Sequence, residues 1–235
     1  MSSTKEIVEH LKSLGKNSDK KQLQRFFKTG KGQYGEGDIF IGIRVPKIRK
    51  LVPKYKNVSI KKVKELISSP FHEVRLFALF VLGRKFDKAE KKQQKEVFDF
   101  YLANTRFINN WDLVDLSAPN IVGKYLFDKN RTPLFILANS ENLWEKRIAM
   151  LACYTFIKNG EFDTALQIAD ILKYDTHDLI HKAVGWMLRE IGNRDLAVEE
   201  AFLKKCYNTL PRTLLRYAIE KFEEPKRQDY LKGRI

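Results

Sequence analysis

The sequence predicts an all-α protein, an α-solenoid of stacked helical pairs forming one curved domain over residues 1–235 with a basic concave face. Three observations carry this. Apolar residues recur at spacings of three and four, strand-like alternation is scarce, and an anchor residue opens successive helical segments at a near-constant interval. A helical pair of this kind cannot bury its apolar face alone, so neighbouring pairs must stack.

Taken in order, Met1-Ser2-Ser3-Thr4-Lys5-Glu6 holds no apolar core of signal-peptide length. No uncharged run in the chain approaches a membrane span, so a cytoplasmic protein with no membrane partner is expected. Between two helical regions lies Gly30-Lys31-Gly32-Gln33-Tyr34-Gly35-Glu36-Gly37, which contains GxGxxG. A dinucleotide fingerprint needs a strand before it and a helix after it; here the order is reversed, and a flexible basic loop near a phosphate backbone fits better. The one β-leaning stretch, Asp38 to Ile43, reads as an extended linker. Pro46 then suits the first turn of a helix from Val45 to Tyr55. Phe71, Val74, Phe77, Ala78, Val81 and Leu82 line one side of the next long helix.

The anchors are Arg75, Trp111, Arg147 and Lys182, separated by 36, 36 and 35 residues, with Arg216 a further 34 on. If the five helices are equivalent, the anchors form a row along one surface, and four of the five are basic. Phosphate contacts from such a row give salt-sensitive, largely sequence-independent affinity for a duplex. The plainer alternative is that each base pairs with an acid of a neighbouring repeat.

Charge supports a polyanionic partner. The formal net charge is +15, and so large an excess repels itself unless something compensates it. Residues 1–95 hold 24 Lys and Arg against 9 Asp and Glu, whereas residues 96–235 hold 20 of each. The first part should therefore grip the partner hardest. Only two cysteines occur, Cys153 and Cys206, neither at zinc-ligand spacing, and both are expected as buried thiols. His177 and His181 stand four apart, but His177-Asp178-Leu179-Ile180-His181 lacks the glutamate of HExxH, so no metal site and no cofactor is expected.

One segment breaks the basic row. Trp111 and Asp115 are four residues apart and share a helix face, whereas Asp112 points away from it. Trp186 follows Lys182 by the same four residues, which puts it in the place that Asp115 holds in its own repeat. A carboxylate is unfavourable on a surface that only binds polyanions, and it fits a site where positive charge develops. Cleavage of a glycosidic bond makes such a species, the oxocarbenium-like sugar, which a carboxylate can stabilise while it positions water. Neighbouring aromatic faces favour the same charge. A core role for Trp111 and an ion-pair role for Asp115 remain open on the residues alone.

Four stretches together resemble a known family. They are Phe40-Ile41-Gly42-Ile43-Arg44-Val45-Pro46, Asn110-Trp111-Asp112-Leu113-Val114-Asp115, Leu143-Trp144-Glu145-Lys146-Arg147 and Lys182 to Glu190 (KAVGWMLRE). In order and spacing, from about residue 20 to residue 222, the chain resembles the bacterial alkylpurine DNA glycosylases built of HEAT-like repeats, the AlkD family. The resemblance implies an enzyme that excises cationic N3- and N7-alkylated purines from duplex DNA without metal and without base flipping, and a monomer is expected. It implies that Asp115 is the catalytic carboxylate, that Trp111 and Trp186 cradle the deoxyribose, and that Arg147 holds the nearby backbone. Lys182, Arg44 and Arg75 complete the expected DNA-binding set, together with Phe26. Where the family pattern has a tyrosine in the N-terminal helices this chain has Phe26, which removes a hydroxyl; Tyr34 is nearby. The competing expectation is a non-catalytic HEAT-repeat scaffold that binds nucleic acid or an acidic protein.

Overall fold

A computed structural model describes residues 3–235. Helices dominate, and among the described residues the only β-type pairing is an isolated parallel bridge between Ile39 and Phe71. The chain divides into two compact units, residues 1–117 and 118–235.

In the first unit, α1 (Thr4–Ser13) opens with a capping box: Ser3 Oγ accepts from the Glu6 amide at 3.1 Å, and the Glu6 carboxylate accepts from the Ser3 amide at 3.0 Å. α2 (Asn17–Phe26) ends on Phe26. α3 (Val45–Leu51) carries Pro46 in its first turn and tightens into a 3₁₀ turn over Val52–Tyr55. The predicted Val45-to-Tyr55 helix thus changes pitch at Pro53, which has no N–H for an α-helical bond. α4 (Ile60–Ile67) is capped by Ser59. It leads to α5 (His72–Lys88), the unit's central helix, which packs on α1, α3 and α4. α6 (Lys91–Leu102) and α7 (Trp111–Asp115) also lie against α5.

The first turns of α5 are buried on every side, from His72 through Leu79. The spacing had indicated one apolar face; the helix has neighbours all round. Its second residue, Glu73, holds the extended segment before it. One carboxylate oxygen accepts from the Ile41 amide at 2.9 Å, the other from Gly42 at 2.8 Å and Ile43 at 3.2 Å. Buried amides outside a ladder need such an acceptor. Gly42 has φ +96°, and a Cβ there would lie 2.3 Å from the Lys16 carbonyl oxygen, so only glycine fits.

The second unit begins with a π-helical turn over Pro119–Gly123 that runs into α8 (Lys124–Leu126). α9 (Thr132–Ala138), α10 (Leu143–Ala152), α11 (Tyr154–Lys158), α12 (Asp163–Leu172) and α13 (Asp178–Gly192) follow. α14 (Leu196–Leu203), α15 (Arg212–Ala218) and α16 (Glu224–Lys232) close the chain. α13 is the central helix here and packs on α10, α12, α14 and α15. At Gly185 it approaches α15 so closely that a Cβ would sit 2.5 Å from the Leu214 carbonyl oxygen. Cys153 and Cys206 are free, buried thiols, and no helix among the described residues is long and apolar enough to cross a membrane.

Candidate functional site

α7 is only five residues long, far below the length at which a helix holds itself in water. Its neighbours therefore have to fix it. Asn110 caps it, accepting from the Trp111 amide at 2.9 Å through its side-chain oxygen. The Asn110 side-chain amide in turn donates to Asp38 at 3.0 Å. Asp112 is buried beneath the helix, with one oxygen accepting from the Leu113 amide at 2.9 Å.

Asp38 and Asp112 meet on one histidine. His72 Nδ1 lies 3.0 Å from Asp38 and Nε2 lies 2.9 Å from Asp112. Burial alone would lower the imidazole pKa, but the charge and hydrogen bond of Asp112, with those of Asp38, outweigh it and raise it to about 9. His72 is therefore an imidazolium at neutral pH, donating from both ring nitrogens. Asp38 also takes a hydrogen bond from Arg75. Burial opposes ionisation of Asp38, and His72, Arg75 and Asn110 overturn that and hold it below the ordinary carboxylate range. Two cations and two carboxylates close into a neutral set, the form in which buried charge is tolerable.

This corrects the sequence reading of Arg75. It is 4% exposed, bound to Asp38 and to the Ser69 and Pro70 carbonyls, so it does not face a DNA backbone. The reason is the all-round burial of α5.

A cluster of rings packs on the same histidine. Phe40 stacks on His72 at 4.4 Å and on Phe27 at 5.0 Å, Phe27 also lies 5.1 Å from His72, and Trp111 stacks on Phe27 at 5.1 Å. Phe26 packs edge-on to Trp111 at 5.8 Å and to Phe27 at 5.2 Å and is 61% exposed, at the open edge of the cluster. Trp111 is thus half-buried, held by stacking below and by its capped amide. Asp115, one helical turn away, is also half-buried. Its charge adds to burial in raising the pKa of Tyr101, whose hydroxyl lies 2.8 Å from Ser117 Oγ.

In the second unit, Trp186 is half-buried, tilted against Tyr154 at 6.2 Å, and its indole donates to Glu190 at 3.2 Å. Arg147 is 5% exposed and donates to the Leu179 carbonyl. Lys182 is paired with Asp178 at 2.7 Å, and Arg44 with Asp19 at 2.9 Å, both partly exposed. Such surface pairs are weak enough to exchange for a phosphate.

The anchor register also changes. Arg147, Lys182 and Arg216 each stand fifth in their helices, but Arg75 stands fourth and Trp111 first. Measured from helix starts, Asp115 is in step with Arg147, and Trp186 is not its counterpart. Sequence reasoning missed Phe27, Phe40, His72, Asp38 and Asn110. Phe40 and Asn110 lie inside the quoted stretches, but nothing local marks His72 as the partner of acids 34 and 40 residues away.

An all-helical repeat fold carrying a carboxylate beside a propped, partly open indole defines a class of helical-repeat protein with a built site. The family model for the DNA alkylation repair enzyme matches residues 7–222, and the chain belongs to that family. Among solved structures, a predicted DNA alkylation repair enzyme from Enterococcus faecalis is similar at TM-score 0.68 and 16% identity, covering 89% of this chain and 97% of that one. AlkD2 from Streptococcus mutans is similar at TM-score 0.57 and 20% identity, covering 94% and 100%. No curated protein matches the chain.

Proposed function

We propose that this protein is a monomeric, cytoplasmic, monofunctional DNA glycosylase that hydrolyses the N-glycosidic bond of cationic N3- and N7-alkylated purines in duplex DNA. The observation that carries the reading is Asp115 one turn from Trp111 on a helix too short to stand alone, fixed by the Asn110 cap and the ring cluster. A structural role alone would not need a propped indole with an open edge.

In this reading Asp115 stabilises the oxocarbenium-like sugar and positions the attacking water. Trp111 packs on the deoxyribose, and Trp186 supplies a second aromatic surface. The alkylated purine carries positive charge and leaves readily, so no general acid is needed and the base does not have to be flipped into a pocket. Arg44 and Lys182 contribute backbone contacts by releasing their weak partners, and Phe26 packs at the rim. The scaffold alternative draws on the basic row, in which Arg75 is buried against Asp38.

The test is release of 3-methyladenine and 7-methylguanine from methylated duplex DNA, measured by chromatography with EDTA present. Release above the spontaneous rate is expected, and Asp115→Asn should lower it by at least about 100-fold, the scale of one electrostatic stabiliser, with duplex affinity kept. Binding without release would support the scaffold reading instead.

A further inference from the structure

α5 leads away from His72 to a second feature. At its far end lies a cavity of about 300 Å³, lined by Lys56, Arg84, Lys85 and Lys88 and by one acid, Glu96. Arg84 is twelve residues from His72, about 18 Å along the helix at 1.5 Å per residue.

Four bases against one acid is an unusual lining. Some bases at comparable exposure are neutralised, as in Lys146–Asp175 at 2.8 Å and Lys226–Glu200 at 3.0 Å. Among the described residues none of these four cavity bases has an ion-pair partner, and the Arg84 Nε–H is buried without an acceptor. A buried donor that no protein group accepts from is open to a ligand or water oxygen. Lys85 and Lys88 fall in the last turn of α5, where helix carbonyls favour cations. That accounts for about half a unit of negative charge, not for four cations. α6 begins just beyond, at Lys91, with no side-chain cap and no acid in its first turn, and Gln93 of that turn also lines the cavity. Uncapped first-turn amides are themselves oxyanion donors. Volume, charge and unpaired donors converge on one ligand chemistry.

We propose that this cavity is a phosphate-binding site, separate from the Trp111–Asp115 site, that takes the oxyanion of a phosphodiester or a phosphate monoester. It gives the basic excess of residues 1–95 a particular address. The oxyanion comes either from a DNA backbone or from free phosphate; the backbone source rests on the function proposed above and the free source does not.

The experiment follows the Arg84 side-chain Nε–H signal by NMR in the full-length protein. Inorganic phosphate, or separately a short undamaged duplex, is added at constant ionic strength set with chloride. A saturable downfield shift is expected with phosphate. The paired substitution Lys85→Gln with Lys88→Gln, at partly or fully exposed positions, should weaken phosphate binding at least tenfold. If the occupant is a backbone phosphate, the duplex shifts the same signal and the paired variant lowers the log–log salt slope of duplex binding by about 1. If the occupant is free phosphate, the phosphate shift appears and the salt slope is unchanged. No Arg84 shift with either addition, and no loss in the paired variant, overturns the proposal. A protein that bound phosphate here yet released no base would fail the glycosylase reading alone.

Discussion

His72 is the residue on which the first unit's polar interior closes. Its pKa is raised, so the sign is fixed: the stabilisation is fully present below the unfolded value near 6.5 and is lost as pH rises through about 9. The displacement corresponds to a contribution on the order of 3 kcal/mol. Thermal unfolding should therefore fall between pH 7 and pH 10, and His72→Gln should be less stable at pH 7 while losing most of that decline. An unchanged slope in the variant would remove His72 as the cause. Arg75 teaches the related lesson about reading single bases. Its place in a periodic row was legible, but whether it faced solvent depended on Asp38, 37 residues away. No spacing rule reaches that far.

At the scale of the element, the contrast is between α5 and α7. α5 was legible because seventeen residues of apolar spacing repeat the same signal. α7 was legible only as a site: its side chains at i and i+4 were placed correctly on one face, but its length was not, and neither was its support. Asn110 does two things there, capping α7 and binding Asp38. Asn110→Ala should cost about 1 kcal/mol for the cap, with more from the Asp38 bond. Because α7 carries Trp111 and Asp115, base release should drop further than melting temperature alone would explain. A variant that melts earlier yet keeps full turnover at low temperature would argue that α7 is held without its cap. The register of the anchors failed for a related reason. Caps set where helices start, and the loops before them differ in length, so an interval counted along the chain drifts against an interval counted along the helices.

Across the whole molecule the thiols separate the two units, because both cysteines lie in the second, in residues 118–235. Burial pushes the Cys153 thiol up to about 12 and the Cys206 thiol upward as well. Neither should react with a disulfide reagent such as Ellman's within minutes in the native protein, and both should react once denaturant opens the second unit. Rapid labelling without denaturant would mean that α10 and the end of α14 are not packed as described. The helical repeat plan was readable at this scale from periodicity and charge. The placement of the charge was not: the basic excess lies in the first 95 residues as counted, but that Lys56 meets Arg84, Lys85 and Lys88 of α5 around one cavity is visible only in the fold.

The hold that Glu73 keeps on Ile41, Gly42 and Ile43 is made entirely to main-chain amides. It therefore does not read the side chain at Ile41, provided that is not proline. Over evolutionary drift Ile41 can change without loosening the clasp, whereas Ile43 is confined by its burial, Gly42 by its backbone angle and Glu73 by its charge. The trace left by this piece of architecture is an acid thirty-one residues downstream of a glycine, a correlation between distant columns rather than a contiguous motif.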